Sequence, residues 1–150
     1  MLDRTDLVLK RPRFFELSPV GDYPLMILLA LQGSVHYIDN YMSAYRVGVE
    51  GSWSKRTYAN SEKTIKHFER TLEMLEELNQ YTNHQYVESI DIRKNQILFN
   101  LNLVQNKFDQ LKSSQFKPYY RQLSLTEKLS VLIRHHFPGV YEKLKQLKGA

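Results

Sequence analysis

The rhythm of apolar positions changes about a third of the way along the chain. Up to residue 58 they come in short runs broken by Pro12, Pro19 and Pro24 and by Gly21, Gly33, Gly48 and Gly51. That punctuation belongs to short elements and turns. From residue 59 to residue 148 the breakers thin to Pro118, Pro138 and Gly139, and apolar side chains return every three or four positions, as on one helix face. The pattern predicts two regions, 1–58 built of short elements and 59–150 helical.

In the first region, Pro24 to Gln32 reads as a short helix. Proline suits a first helical position, the residue before it favours extended backbone, and glycine suits the position after the last turn. Tyr23 is therefore the expected cap and Gly33 the expected stop. The helix is apolar all round, which predicts burial on several sides. Val35–Ile38 and Tyr41–Val47 alternate as strands about an Asp39-Asn40 turn, a hairpin signal. Two strands alone are marginal in water. The hairpin thus predicts a larger sheet, or association of copies through an unpaired edge.

In the second region, Asn60 or Ser61 caps a helix carrying Ile65, Phe68, Leu72, Leu75 and Leu78 on one face. A second helix is expected from about His84 to Lys112, with Ile90, Ile97, Leu101, Val104, Phe108 and Leu111 as its stripe. The two would pack as an antiparallel pair across Tyr81-Thr82-Asn83. Ser124-Leu-Thr-Glu127 has the spacing of a capping box and opens a third helix to about His136. After Pro138-Gly139 a short basic helix is expected to reach Lys148. The fold class is therefore mainly α, with an α+β first region: a short buried helix and a β-hairpin, then a helical tail with an antiparallel pair.

Composition narrows the setting. With 42% hydrophobic and 25% charged residues the chain is an ordinary globular one. It has no cysteine, which removes disulfides and thiolate metal sites and permits a reducing compartment. The longest apolar run, Leu25 to Leu31, is far short of the roughly 20 residues of a membrane span. The net charge is +5, and its excess lies in the tail, where Lys112 to Ala150 holds 8 basic residues against 2 glutamates. Such a tail serves anionic lipid, nucleic acid or solubility equally well. Phe116, Tyr119 and Tyr120 among these cations are suited to base stacking. No nucleic-acid fold signature accompanies them, so nucleic acid is not an expected partner of the primary reading.

The stretch from Pro19 to Ser54 carries the most information. It holds Gly21-Asp22-Tyr23-Pro24-Leu25, then Gly33-Ser-Val-His-Tyr-Ile-Asp39, then Met42-Ser43-Ala44-Tyr45-Arg46, then Gly51-Ser52-Trp53-Ser54. In order and spacing these four short motifs resemble the second half of the catalytic domain of bacterial family-2 glycosyltransferases, strongest over residues 14 to 56. The resemblance implies a Rossmann-like nucleotide-sugar fold, of which residues 1–58 would be the carboxyl-terminal, acceptor-side remnant and 59–150 a helical continuation.

It also implies roles. Asp22 matches the family's general base, which takes the proton of the acceptor hydroxyl as that oxygen attacks the anomeric carbon. The plainer reading of Asp22 is a helix cap. Tyr23, Tyr45, Arg46 and Trp53 are the expected substrate-binding residues. Arg46 offers a fork that matches phosphate oxygens, and a strand-end pairing with Glu50 or Asp39 fits it equally well. Trp53 suits either stacking on a sugar or anchoring its own loop. Many relatives carry a histidine two residues after the arginine, where this chain has Gly48.

The family holds Mn²⁺ or Mg²⁺ on the donor diphosphate through an Asp-x-Asp motif, and that motif is absent from these residues. His36, His67 and His84 are scattered, and His135-His136 point to different helix faces, so no metal site is expected in this chain. The expected function is transfer of a sugar from a nucleoside-diphosphate donor to a saccharide or lipid-linked acceptor in surface polysaccharide synthesis. The donor would bind only together with the missing half, and this chain alone would be inactive. Partners are a sugar acceptor, an anionic membrane surface and further copies of the chain. The location is cytoplasmic, peripheral at the inner membrane face. The alternative is a non-catalytic helical interaction module whose basic tail meets lipid or nucleic acid.

Overall fold

The computed structural model describes residues 9–44, 46, 49–58, 60–141 and 143. The protein is mainly helical: α1 (Arg13–Leu17), α2 (Asp22–Ala30), α3 (Trp53–Tyr58), α4 (Ser61–Tyr81), α5 (Val87–Val104), α6 (Phe108–Leu111), α7 (Lys117–Gln122) and α8 (Leu125–His136). The chain divides into two compact units, Met1–Ile90 and Asp91–Ala150. The first contains the whole of the expected 1–58 region together with α4.

α4 organises the first unit. Asn60 caps it, its side-chain oxygen accepting the Lys63 amide at 3.0 Å, as its residue type predicts. α1 and α3 both pack on α4, and Phe14, Pro24, Leu28, Met74, Leu75 and Leu78 are buried. The buried stripe is rotated from the expected one: Thr64 and Thr71 are buried while Ile65, Phe68 and Leu72 are half-buried. Burial of the threonines costs little because their hydroxyls donate to main-chain carbonyls, Thr64 to Asn60 at 2.9 Å and Thr71 to His67 at 2.7 Å. The expected antiparallel pairing of α4 with α5 would span the two units and remains an expectation.

Three sequence expectations are corrected. The first concerns α2, which begins at Asp22 with Gly21 as its N-cap. Pro24 sits in the first turn, where its missing N–H would have had no helical carbonyl to bond, so it need not be the first residue. Met26 and Leu29 are exposed, so α2 is buried on one side and not on several.

The second concerns the hairpin. Among the described residues there is no strand, and Val35, Tyr37, Ile38, Tyr41 and Met42 stand exposed. The Asn40 amide donates to the Ile38 carbonyl at 2.9 Å. That closes a three-residue turn, where a two-residue hairpin turn would bond Tyr41 to Ile38. Alternating apolar side chains favour extended backbone, but a ribbon without neighbours has too little to bury. Tyr45 and Val47 lie outside the described residues.

The third concerns the second long helix, which is cut by Asn106 at φ 58°. The amide of Lys107 returns to the Asn102 carbonyl at 2.9 Å, closing α5 with a left-handed cap. Asn83 and His84, at φ 50° and 61°, end α4 in the same way, the His84 amide reaching the Asn79 carbonyl at 2.8 Å.

In the second unit Phe99, Phe108, Leu111 and Phe116 form a buried cluster. Tyr119 stacks on Phe99 with centroids 5.9 Å apart and donates its hydroxyl to the Ile92 carbonyl at 3.1 Å. α8 starts where the capping box predicts. Ser124 Oγ accepts the Glu127 amide at 3.3 Å, and Glu127 Oε2 accepts the Ser124 amide at 2.8 Å. Ser124 Oγ also donates to Glu127 Oε2 at 2.6 Å, and this bond, with that of the Ser124 amide, holds the Glu127 carboxyl below its usual range. Residues 138–141 are helical, and residues 144–150 lie outside the described set.

Candidate functional site

The α3–α4 corner is built from a local signal. Gly51 takes φ 75°, a left-handed conformation that glycine adopts without strain. The next residue, Ser52, accepts the Lys55 amide on Oγ at 3.3 Å and stabilises the first turn of α3. Trp53 is therefore the first residue of a helix, not a member of a loop.

Its indole meets the Tyr58 ring edge-on at 5.9 Å and the His67 imidazole at 5.3 Å. His67 is also edge-on to Tyr58 at 6.0 Å. Three rings from two helices thus hold one another, each such contact contributing on the order of 1 kcal/mol beyond the area it buries. Trp53 nonetheless keeps 42% of its surface exposed.

That exposed side opens on a cavity of about 230 Å³, lined by Trp53 and Thr57 of α3, by Lys63, Lys66, His67 and Arg70 of α4, and by Pro19. Arg70 donates from Nη2 to the Glu16 carbonyl of α1 at 3.4 Å, which fixes the guanidinium end of the row. All the basic residues of α4 line this cavity, whereas its glutamates, Glu62, Glu69, Glu73, Glu76 and Glu77, do not. Glu77 faces α1 instead, 3.9 Å from Arg13. Lys63, Lys66 and Arg70 form no ion pair with a carboxylate among the described residues. Burial lowers the His67 pKa, so the imidazole is neutral at pH 7. The arrangement is a cationic rim around a neutral aromatic wall, suited to an anion that carries a ring.

The residues singled out by sequence are distributed more widely. Asp22 is exposed at the start of α2, and its Oδ1 accepts the Tyr23 amide at 2.9 Å. The bond to the adjacent amide is not a cap, since Gly21 is the N-cap of α2 and makes no side-chain cap bond, and the Asp22 side chain stands exposed. Tyr23 is half-buried, and Arg46 is exposed. Tyr45 lies outside the described residues. Of the expected substrate-binding residues, Trp53 lines the cavity and Tyr23 and Arg46 do not, nor does the expected base, Asp22. Sequence reasoning passed over Lys63, Lys66 and Arg70 and weighed His67 only as a metal ligand, although their spacing of three, four and seven places all four on one helix face.

Among the described residues no group of three His, Asp or Glu side chains lies where it could hold a cation. Comparison of the chain with protein-family models, with curated proteins and with solved structures gives no match.

Proposed function

We propose that this chain is the acceptor-side, carboxyl-terminal part of a glycosyltransferase that moves a sugar from a nucleoside-diphosphate donor to a saccharide or lipid-linked acceptor in surface polysaccharide synthesis. The observation that carries the reading is the order of motifs from Gly21-Asp22-Tyr23 to Gly51-Ser52-Trp53-Ser54. Asp22 is the general base: its solvent-facing carboxylate oxygen receives the acceptor hydroxyl proton. The acceptor oxygen bonds to the anomeric carbon, and the bond from that carbon to the departing nucleoside diphosphate breaks. Tyr23, Tyr45, Arg46 and Trp53 position the substrates. The exposed apolar side chains of Val35, Tyr37, Ile38, Tyr41 and Met42 support the reading, since contiguous exposed apolar surface marks an interaction site. Their cover is the donor-binding half or a further copy of the chain.

The test uses a longer enzyme that carries this segment together with a donor-binding half. Asp22→Asn is expected to lower turnover at least roughly a hundredfold, the scale of a lost general base, with donor affinity and melting temperature unchanged. A marked fall in melting temperature with activity per folded molecule intact would make Asp22 a cap only. The present chain alone is expected to show no tight, metal-dependent binding of a nucleoside-diphosphate sugar by calorimetry.

A second reading has its own observation. Leu125, Leu129 and Leu132 of α8 are exposed along one stripe, flanked by basic residues. We infer that this face rests on an anionic membrane, at the cytoplasmic side where lipid-linked acceptors would be met. Among the described residues no helix is long and apolar enough to cross a membrane.

A further inference from the structure

We propose that the cavity between Trp53 and the Lys63–Arg70 face of α4 binds a phosphate group joined to a ring, as in a sugar phosphate or a nucleotide. The proposal goes beyond the glycosyltransferase reading and shares only Trp53 with it. It stands on the sorting of charge on α4 and on the position of the indole.

The three basic residues of α4 line one concavity, and none of its five glutamates lines it. Three like charges without a carboxylate partner repel one another, and an anion relieves that repulsion. Lys63 and Arg70 are about 10 Å apart along the helix axis at 1.5 Å per residue. That spread exceeds one small spherical ion and suits a ligand with a phosphate at one end and more structure at the other. Arg70 supplies a planar fork and the lysines supply point charges, the two ways side chains hold phosphate.

Trp53 supplies the other half. Its edge contacts with Tyr58 and His67 hold the indole still, and its exposed surface faces the same space as the cations. A rigid, half-open aromatic beside a cationic rim loses little conformational entropy on binding a ring. Thr57 adds a hydroxyl at the wall. The cavity, at about 230 Å³ and open to solvent, has room for a ring and a phosphate.

Trp53 is the single tryptophan, so its emission reports this cavity alone. Titration of the full chain with glucose 1-phosphate is expected to change that emission saturably, with half-saturation on the order of 1 mM, as befits an open site. Inorganic phosphate should bind at least fivefold more weakly, glucose not at all, and added salt should weaken the sugar phosphate. Calorimetry with uridine monophosphate then shows whether a sugar ring or a base is preferred, and either result at this site supports the proposal. The double variant Lys63→Gln, Lys66→Gln should bind at least tenfold more weakly while its circular dichroism and melting curve match the parent. The proposal is overturned if glucose 1-phosphate gives no saturable change, if the double variant binds as tightly as the parent, or if glucose or inorganic phosphate binds equally well. None of these failures touches the role of Asp22, which rests on turnover in the longer enzyme.

Discussion

The imidazole of His67 stands edge-on to the indole of Trp53, with ring centroids 5.3 Å apart and planes at 67°. Burial holds the His67 pKa below the usual 6.5. Lys63, Lys66 and Arg70 share its cavity, and α3 contributes Trp53, Thr57 and the Tyr58 ring. A protonated imidazole quenches an adjacent indole. Trp53 emission is therefore expected to fall on acidification with a midpoint below 6.5, and this step should vanish in His67→Gln.

The same shift has a consequence for stability. The unfolded chain binds a proton at His67 near 6.5, and the folded chain only at lower pH. The contribution of neutral His67 is fully present above 6.5 and is lost as pH falls from 6.5 through the folded value. Urea midpoints at pH 7.5 and pH 5 should therefore differ less in His67→Gln than in the parent. An emission midpoint at or above 6.5 would mean that the imidazole is solvated and the aromatic corner loose.

How far the fold was legible depends on how local its determinants are. Ser124 and Glu127 satisfy each other within one turn, so their spacing alone marks the start of α8, and Asn60 marks α4 in the same way. Asn106 and Asn83 end their helices just as locally, but the chain also has asparagines inside helices, at Asn79, Asn95, Asn100 and Asn102. Residue type alone does not separate the two uses. The hairpin failed for the opposite reason: Val35 to Met42 has strand character, and a strand is decided by a partner that the residue pattern does not contain.

The cavity was illegible as a site for a related reason. Gly51-Ser52 is a readable start signal for α3, and Lys63, Lys66, His67 and Arg70 form a readable face of α4. That the two face one space is a fact of packing, set by the Thr64 hydroxyl lying 3.0 Å from the Thr57 carbonyl and by the ring contacts of His67.

Arg134 offers a prediction in the second unit. Its Nη1 donates to the Leu103 carbonyl at 2.8 Å and reaches Asn106 Oδ1 at 3.3 Å, while Nη2 donates to the Tyr141 hydroxyl at 3.0 Å. The guanidinium also lies over the Tyr141 ring, 4.7 Å from its centroid. A cation at the last carbonyls of α5 satisfies groups that the helix leaves open and opposes its dipole. Arg134→Met is expected to destabilise the unit by about 1–3 kcal/mol in urea unfolding, the cost of leaving such acceptors unpaired. Arg134→Lys should restore little, because one ammonium cannot span Leu103, Asn106 and Tyr141. Full stability in Arg134→Met would show that Asn106 closes α5 unaided.

The last prediction concerns the other side of α8. Val131 packs against the Phe99–Phe116 cluster and Arg134 faces α5, whereas Leu125, Leu129 and Leu132 are 84%, 58% and 42% exposed. Phe137 and Val140 extend the exposed apolar surface beyond the helix. Lys117, Arg121, Lys128 and Lys143 belong to the same part of the chain, with Lys145 and Lys148 following outside the described residues. Arg134 does not join them, since its charge is committed to α5 and Tyr141. Apolar side chains between cations suit an anionic bilayer, each cation adding on the order of 1 kcal/mol near the surface. The chain is expected to co-sediment with vesicles containing phosphatidylglycerol and not with neutral vesicles, less so as salt rises. Leu125→Gln, Leu129→Gln and Leu132→Gln together should abolish the binding, and Lys143→Gln, Lys145→Gln and Lys148→Gln together should weaken it. Equal pelleting with both vesicle types, or with neither, would remove the membrane from the account. Light scattering that then shows a dimer, dissociated by the same leucine changes, would assign this face to a second copy of the chain.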